Sequence, residues 1–289
     1  MNSGPYDPTP SAAVLPSFAS GPDDPRPADD LPSDLHWFID DGRLPAEREG
    51  PARTLALAAS LFARLSGLAG VPERHAATLA QRIVTDATLR REAGKDQNVY
   101  LGALFTRLLS RALPDLVFLP AATAEVAEAL RWAREERVPV TVRAAASSAL
   151  GGAVPSAGGL TLDLSRLGHV DVNADDNVCV LGAGARLRTV HRHLARHDLA
   201  LPVYPSNLGA TFAGWLAGGG VGLNAFGGRR AVDIVRAADV ILPGGDLVRF
   251  HSDGRLDVPG EGPQHGHREV APDEAEAWFT ARGLEPFGL

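Results

Sequence analysis

Residues 204–230, YPSNLGATFAGWLAGGGVGLNAFGGRR, constrain this chain more than any other stretch. Glycine fills eight of the 27 positions, and no charge appears until the closing arginine pair. Glycine at that density costs backbone entropy, so a folded protein keeps it where side chains would obstruct something. A large ligand lying directly on the main chain fits that need, with amide groups facing its phosphates. The competing reading is a flexible surface linker. Linkers are serine-rich and polar, whereas Phe212, Trp215, Leu216 and Val221 are apolar.

Composition narrows the partners of such a ligand site. The 289 residues suffice for one large domain or two small ones. Hydrophobic residues make up 45% and charged residues 22%, an ordinary globular balance. A net charge of -7 argues against nucleic acid and against an anionic membrane surface as the main partner. Cys179 is the single cysteine, which excludes an internal disulfide or a cysteine metal cluster within one chain. No apolar run approaches the ~20 residues of a membrane-spanning helix. The opening MNSGPYDPTP lacks a basic start followed by an apolar stretch, so no secretory signal and a cytoplasmic location are expected.

Along the chain, residues 1–50 are rich in Pro, Asp, Ser and Gly, with scattered apolar residues such as Trp37 and Phe38. They are expected to be disordered or loosely ordered, with 35–39 docking on the rest. Residues 51–113 read as a helical region. Leu55, Ala58, Ala59, Phe62 and Leu65 recur at helical spacing, and 76–89 and 99–113 suggest two further helices. Residues 116–119 form a short apolar strand closed by Pro120. Thr123 is placed to cap the following helix, whose apolar face is Val126, Leu130 and Ala133. A second strand at 138–142 completes a βαβ unit, which predicts parallel strands and a right-handed crossover.

That strand runs into Arg143, Ala144, Ala145, Ala146, Ser147, Ser148, Ala149, Leu150, Gly151 and Gly152, a second loop of very small residues. Open α/β sheets bind ligands at the carboxyl ends of parallel strands. The loop amides and the hydroxyls of Ser147 and Ser148 suit a phosphate; an ordinary turn on the core is the alternative. Further on, Leu160, Leu162 and Leu164 alternate along a strand, and 170–172 with 178–181 suggest a hairpin. Cys179 falls inside it as a buried structural thiol. Residues 186–196 read as a helix with Leu187, Val190 and Leu194 inward. Strand material at 232–242 precedes a turn at 243–246 and a strand at 247–250. Residues 256–289 read as a polar tail with one short helix at 274–281.

Other constellations carry less. His193 and His197 stand four apart on a helix, but no acid lies between them and Arg192 and Arg196 would repel a cation. The expectation is a solvated helix face, as for the tail residues His251, His265 and His267, and no metal site. No G-x-S-x-G elbow of a hydrolase is present. Residues 220–225 match the dinucleotide fingerprint G-x-G-x-x-A, yet that fingerprint needs a strand immediately before it and a helix after. Neither context is met.

Several spaced motifs occur together. They are PAATAEV at 120–126, VPVTVRAAASS at 138–148, GGLTLDLSRL at 158–167, PSNLGATFAG at 205–214, and DIV at 233–235 followed by ILPGGD at 241–246. In this order they resemble the FAD-binding domain of the vanillyl-alcohol oxidase / p-cresol methylhydroxylase flavoproteins, most of all the glycolate oxidase and D-lactate dehydrogenase branch. The resemblance covers residues 114–250. It implies an α+β fold of two α/β subdomains, a small parallel βαβ part and a mixed or antiparallel sheet, spanning 114–255. It implies the FAD pyrophosphate against Ala144, Ala145, Ala146, Ser147 and Ser148, and the ribityl and flavin side lined by Gly209, Ala210, Thr211, Gly214, Gly218, Gly219 and Gly220. Val235 would meet the adenine through its backbone. Arg143, Gly151, Pro205, Ser206 and Gly222 belong to the same two loops and complete the expected cofactor site.

The departures from the family carry their own expectations. The family usually has glycines where this chain has Ala144 to Ala146. Some members carry a flavin-linking histidine where Ser147 stands, and a second cysteine link occurs elsewhere about where Gly209 stands, so non-covalent FAD is expected. The family continues into a G-S-E-G-x-x-G segment and a substrate-holding cap domain, whereas this sequence closes on residues 285–289. The expectation is a truncated reading frame or an FAD module completed by a partner subunit, with the catalytic base unassigned. By resemblance the reaction is hydride transfer from a small D-2-hydroxy acid to FAD N5. The alternative from another class is a non-catalytic FAD-binding or assembly subunit. A third option is the reductase of an enolpyruvyl sugar nucleotide in cell-wall synthesis, whose characteristic later serine and glutamate lie outside this chain or are absent.

Overall fold

A computed structural model describes residues 52–69, 71, 73–97, 113–148, 150–223, 225–259 and 267–282. The expectations for residues 1–50, for a helix over 99–113 (Leu113 aside) and for His265 fall outside the described residues.

Helix α1, Ala52–Leu65, is built from strong helix formers. Its buried stripe is Thr54, Leu61 and Leu65, with Leu57 and Ala58 partly covered. Leu55 and Phe62, expected inward, are each 42% exposed. Apolar residues occupy two neighbouring stripes of α1, roughly 100° apart, so spacing alone does not choose between them. The continuous helix expected over 76–89 is broken into α2, Glu73–Ala77, α3, Leu79–Arg82, strand β1, Ile83–Val84, and α4, Ala87–Ala93. Ile83, Val84 and Thr85 are β-branched and disfavour helix. The Asp86 carboxylate then caps α4 by accepting the amides of Thr88 and Leu89, each at 2.9 Å.

The first sheet has the order β1–β2–β4–β3, with β2 at Leu116–Phe118, β3 at Val140–Arg143 and β4 at Leu160–Asp163. β2 and β3 are both parallel to β4, which lies between them, while β1 adds an antiparallel edge. The expected βαβ unit is present, with a third strand inserted into it. Helix α5, Thr123–Glu135, connects β2 to β3 and packs Val126, Ala129, Trp132 and Ala133 against Leu116, Phe118, Leu160 and Leu162. Leu61 and Leu65 of α1 close the same core.

Thr123 does not cap α5. It is the first helical residue, and the preceding Ala122 offers no side-chain acceptor. The Glu125 carboxylate serves instead, accepting the Ala121 amide at 2.7 Å while buried in a two-pronged pair with Arg82 at 2.6 and 2.7 Å.

The chain then forms the hairpin of β5, Val170–Asn173, and β6, Val178–Leu181, and helix α6, Leu187–Ala195, with Leu187, Val190 and Leu194 buried as expected. Helix α7, Phe212–Ala217, lies inside the glycine-rich stretch. Strands β7, Ala237–Ile241, and β8, Leu247–His251, begin a four-stranded antiparallel sheet. Residues 256–282, read as a polar tail, complete it. β9 is Leu256–Pro259, β10 is His267–Val270, and α8, Pro272–Thr280, covers Val248, Leu256, Val258 and Val270 with Ala275, Trp278 and Phe279. Two four-residue strands, one ending in proline, carry too little alternation to be read from sequence. Arg131 of α5 donates to the Gly245 carbonyl at 2.8 Å and so ties this sheet's first turn to the parallel one. Among the described residues no helix is long and apolar enough to cross a membrane.

Candidate cofactor site

The site grows from the carboxyl ends of β3 and β4. β3 feeds directly into residues 144–152. β4 continues through the turn Leu164–Arg166 into residues 167–169, which accept the amides of Gly184 and Gly182 at 2.9 and 3.0 Å. From there residues 185–188 hold the glycine-rich stretch. The amides of Leu187 and Arg188 donate to the carbonyls of Ala210 and Leu208, each at 2.9 Å, and the Phe212 amide donates to Ala185 at 3.0 Å. Two adjacent parallel strands therefore carry the two small-residue loops.

In the first loop, Ala146 takes φ +46°, the left-handed region that glycine prefers. The amides of Ala145, Ala146, Ser147 and Ser148 donate to no group among the described residues. Two members of the sequence-derived set are held by protein groups instead. The Gly151 amide donates to the Asp96 carboxylate at 2.7 Å. The Arg143 guanidinium, 9% exposed, donates to the Ala93 carbonyl at 2.6 Å and stands 3.3 Å from the Asp163 carboxylate. An arginine at the mouth of a phosphate loop suggests a phosphate contact from sequence, but a buried acid on the neighbouring strand claims it.

In the second loop, Pro205 is half-buried and Ser206 exposed. Asn207 organises the turn at 207–210: its side-chain oxygen accepts the Gly209 amide at 2.9 Å and its carbonyl the Ala210 amide at 3.2 Å. Sequence reasoning passed over Asn207, although asparagine two residues before glycine is a known turn signal. Thr211 caps α7 through its hydroxyl, which accepts the Gly214 amide at 3.2 Å. The glycines beyond α7 divide into two kinds. A β-carbon on Gly222 would sit 2.4 Å from the Tyr204 carbonyl oxygen, and one on Gly220 2.7 Å from Ala231. These two serve packing. A β-carbon on Gly218 would meet nothing closer than 3.5 Å, and Gly219 faces open space at φ +74°. Val235 lies further along, its amide donating to the Val232 carbonyl at 3.2 Å.

His191 of α6 stands edge-on to Tyr204, ring centroids 5.0 Å apart, and burial holds its pKa below the ordinary imidazole value. Beyond the glycines, Val221, Leu223 and Val232 are more than half exposed and Phe226 is fully exposed. Among the described residues no three metal-ligating side chains converge.

Residues 114–251 match the family described as an FAD binding domain. The resemblance to vanillyl-alcohol oxidase / p-cresol methylhydroxylase flavoproteins drawn from the motifs holds over this segment. The D-lactate dehydrogenase of Archaeoglobus fulgidus is 31% identical over 135 residues, 46% of this chain and 30% of that protein. The glycolate oxidase subunit GlcD of Bacillus subtilis is 26% identical over 157 residues, 52% of this chain and 32% of that protein. The chain thus spans about a third of the length of these relatives. Among solved structures, alkyldihydroxyacetonephosphate synthase superposes with a TM-score of 0.54 at 19% identity, over 70% of this chain and 39% of that one, which shows the shared fold.

FAD is the cofactor of this FAD-binding domain, and the residues present suit it. Four successive amides without a protein acceptor among the described residues form a donor set for a pyrophosphate. The open faces of Gly218 and Gly219 admit a flat ring system against the main chain. Ala146 of that donor run takes the left-handed conformation that glycine favours.

Proposed function

We propose that this chain is the FAD-binding part of an oxidoreductase acting on a small D-2-hydroxy acid of the glycolate or D-lactate type. The observation that carries the reading is the run of unclaimed amides at 145–148, placed where β3 leaves the parallel sheet. These amides and the Ser147 hydroxyl would hold the pyrophosphate. Ala144 lies at the entry to that loop. Gly209, Ala210, Thr211, Gly214, Gly218 and Gly219 would line the ribityl chain and ring. Because the Val235 amide is already bonded, an adenine contact would fall to its carbonyl oxygen. Neither loop contains a histidine or cysteine for a flavin link, so FAD would be held non-covalently. Bound FAD supplies the two-electron acceptor for the α-carbon hydride of the hydroxy acid. The chain's own contribution is to bind and orient, and no base is assigned to the described residues. The test is to load the chain with FAD, mix it anaerobically with glycolate or D-lactate, and monitor flavin absorbance. Bleaching supports the reading; a chain that takes up no FAD removes it.

A second reading has its own observation. Val221, Leu223, Phe226 and Val232 form a row along the sequence, in and just after the glycine-rich stretch, that stands exposed, and exposed apolar patches mark interaction surfaces. An FAD-binding subunit whose site is completed by a partner subunit or cap domain would cover that row. Substrate turnover by the isolated chain would exclude it.

A further inference from the structure

We propose that Asp96 and Arg143 are positioning residues that fasten residues 93–97 against the pyrophosphate loop and so pre-form it. This rests on the reading of the 145–148 amides as the phosphate donors. Three ties join the two segments. At the loop's start, Arg143 donates to the carbonyls of Ala93, at 2.6 Å, and Lys95, at 3.4 Å. In its middle, the Gln97 amide donates to the Ser148 carbonyl at 3.0 Å. At its end, the Gly151 amide donates to the Asp96 carboxylate at 2.7 Å.

The base of this brace is rigid. α4 is capped by Asp86, and Ala93 is fully buried in a cluster with Val84, Leu89, Val117 and Leu119. Arg143 also stands 3.3 Å from Asp163, a carboxylate with no exposure. Direction matters as much as number. The middle tie takes a carbonyl. The amides of Leu150, bonded to the Ser148 hydroxyl at 3.2 Å, and of Gly151 lie beyond the donor run. The loop is therefore held from its carbonyl side while the amides of 145–148 stay unclaimed. A loop already ordered spares its ligand the entropy of ordering it. Asp96, an acid beside a loop meant for an anion, has a structural role there through its bond to the Gly151 amide.

The test compares Asp96→Ala with Asp96→Asn in the full chain. Asparagine keeps an oxygen acceptor for Gly151 and removes the charge. In FAD-free protein, trypsin cleavage after Arg143, read by mass spectrometry, reports loop opening, with cleavage after the remote Arg249 as the control. Asp96→Ala is expected to accelerate cleavage at Arg143 about tenfold and to weaken FAD binding about tenfold, as loss of a charged hydrogen bond implies. Asp96→Asn is expected to restore both. Arg143→Lys, which loses the guanidinium bonds to the Ala93 and Lys95 carbonyls, is expected to behave like Asp96→Ala and serves if that variant does not fold. Unchanged cleavage and unchanged FAD affinity in Asp96→Ala would overturn the proposal. If Asp96→Ala opens the loop but the parent chain binds no FAD, the cofactor reading fails and the positioning role fails with it.

Discussion

Ala146 offers a sharp test of the loop's geometry. Its φ of +46° places an alanine in the left-handed region, which costs an L-residue about 1–2 kcal/mol. Ala146→Gly removes that cost but adds freedom to the unfolded chain worth about 0.4–1 kcal/mol. The net expectation is a gain of about 0.5–1 kcal/mol, or a Tm increase of about 1–4 °C for a domain of this size. Ala145 is the internal control, because its φ is not positive. Glycine there brings the entropic loss alone, so Ala145→Gly should lower stability by about 0.5–1 kcal/mol. Thermal unfolding monitored by circular dichroism reads both variants against the parent. Opposite signs at the two neighbouring positions support the loop conformation on which the proposed phosphate binding depends. A lower Tm for Ala146→Gly, or equal losses at both positions, would refute it.

Other expectations arise from separate parts of the fold. Arg82 and Glu125 are 1% and 2% exposed, so Arg82→Leu should cost about 3–5 kcal/mol by stranding the carboxylate, while Arg82→Met with Glu125→Leu should recover most of it; urea denaturation measures both. Gly222→Ala should lower Tm by several degrees because its β-carbon meets the Tyr204 carbonyl, whereas Gly218→Ala should leave Tm nearly unchanged and weaken FAD binding. Burial lowers the pKa of His191 and, together with Arg74 and Arg82, that of His75. A depressed folded-state value means the unfolded chain takes up protons first, so stability should fall as pH drops below about 6.5. His191→Asn should flatten part of that slope in denaturation midpoints measured at stepped pH.

Legibility in the sequence tracks the strength of each local signal. The parallel β2, β3 and β4 are short apolar runs bounded by proline and glycine, and the α6 face repeats at helical spacing, so each could be placed. Insertion of β4 between β2 and β3 is a long-range pairing that no local pattern encodes. The α1 helix was legible but its inward face was not, because two apolar stripes compete, and the 76–89 helix is broken where Ile83 and Val84 pair with β2 instead. β9 and β10 are too short to show alternation. At the site, the two loops were legible because small residues at high density have few other uses. The commitments of Arg143 to Asp163 and of Gly151 to Asp96 were not, since the partners lie 20 and 55 positions away. Asn207 carried a turn signal that the glycines beside it overshadowed.

Uptake of FAD by the two loops is the central claim, and a titration tests it most directly. Purified chain, stripped of any bound flavin, should take up added FAD at one per chain, with a shift in flavin absorbance and quenching of its fluorescence, and should release it intact on denaturation. A colourless protein whose titration with FAD gives neither signal would contradict the claim.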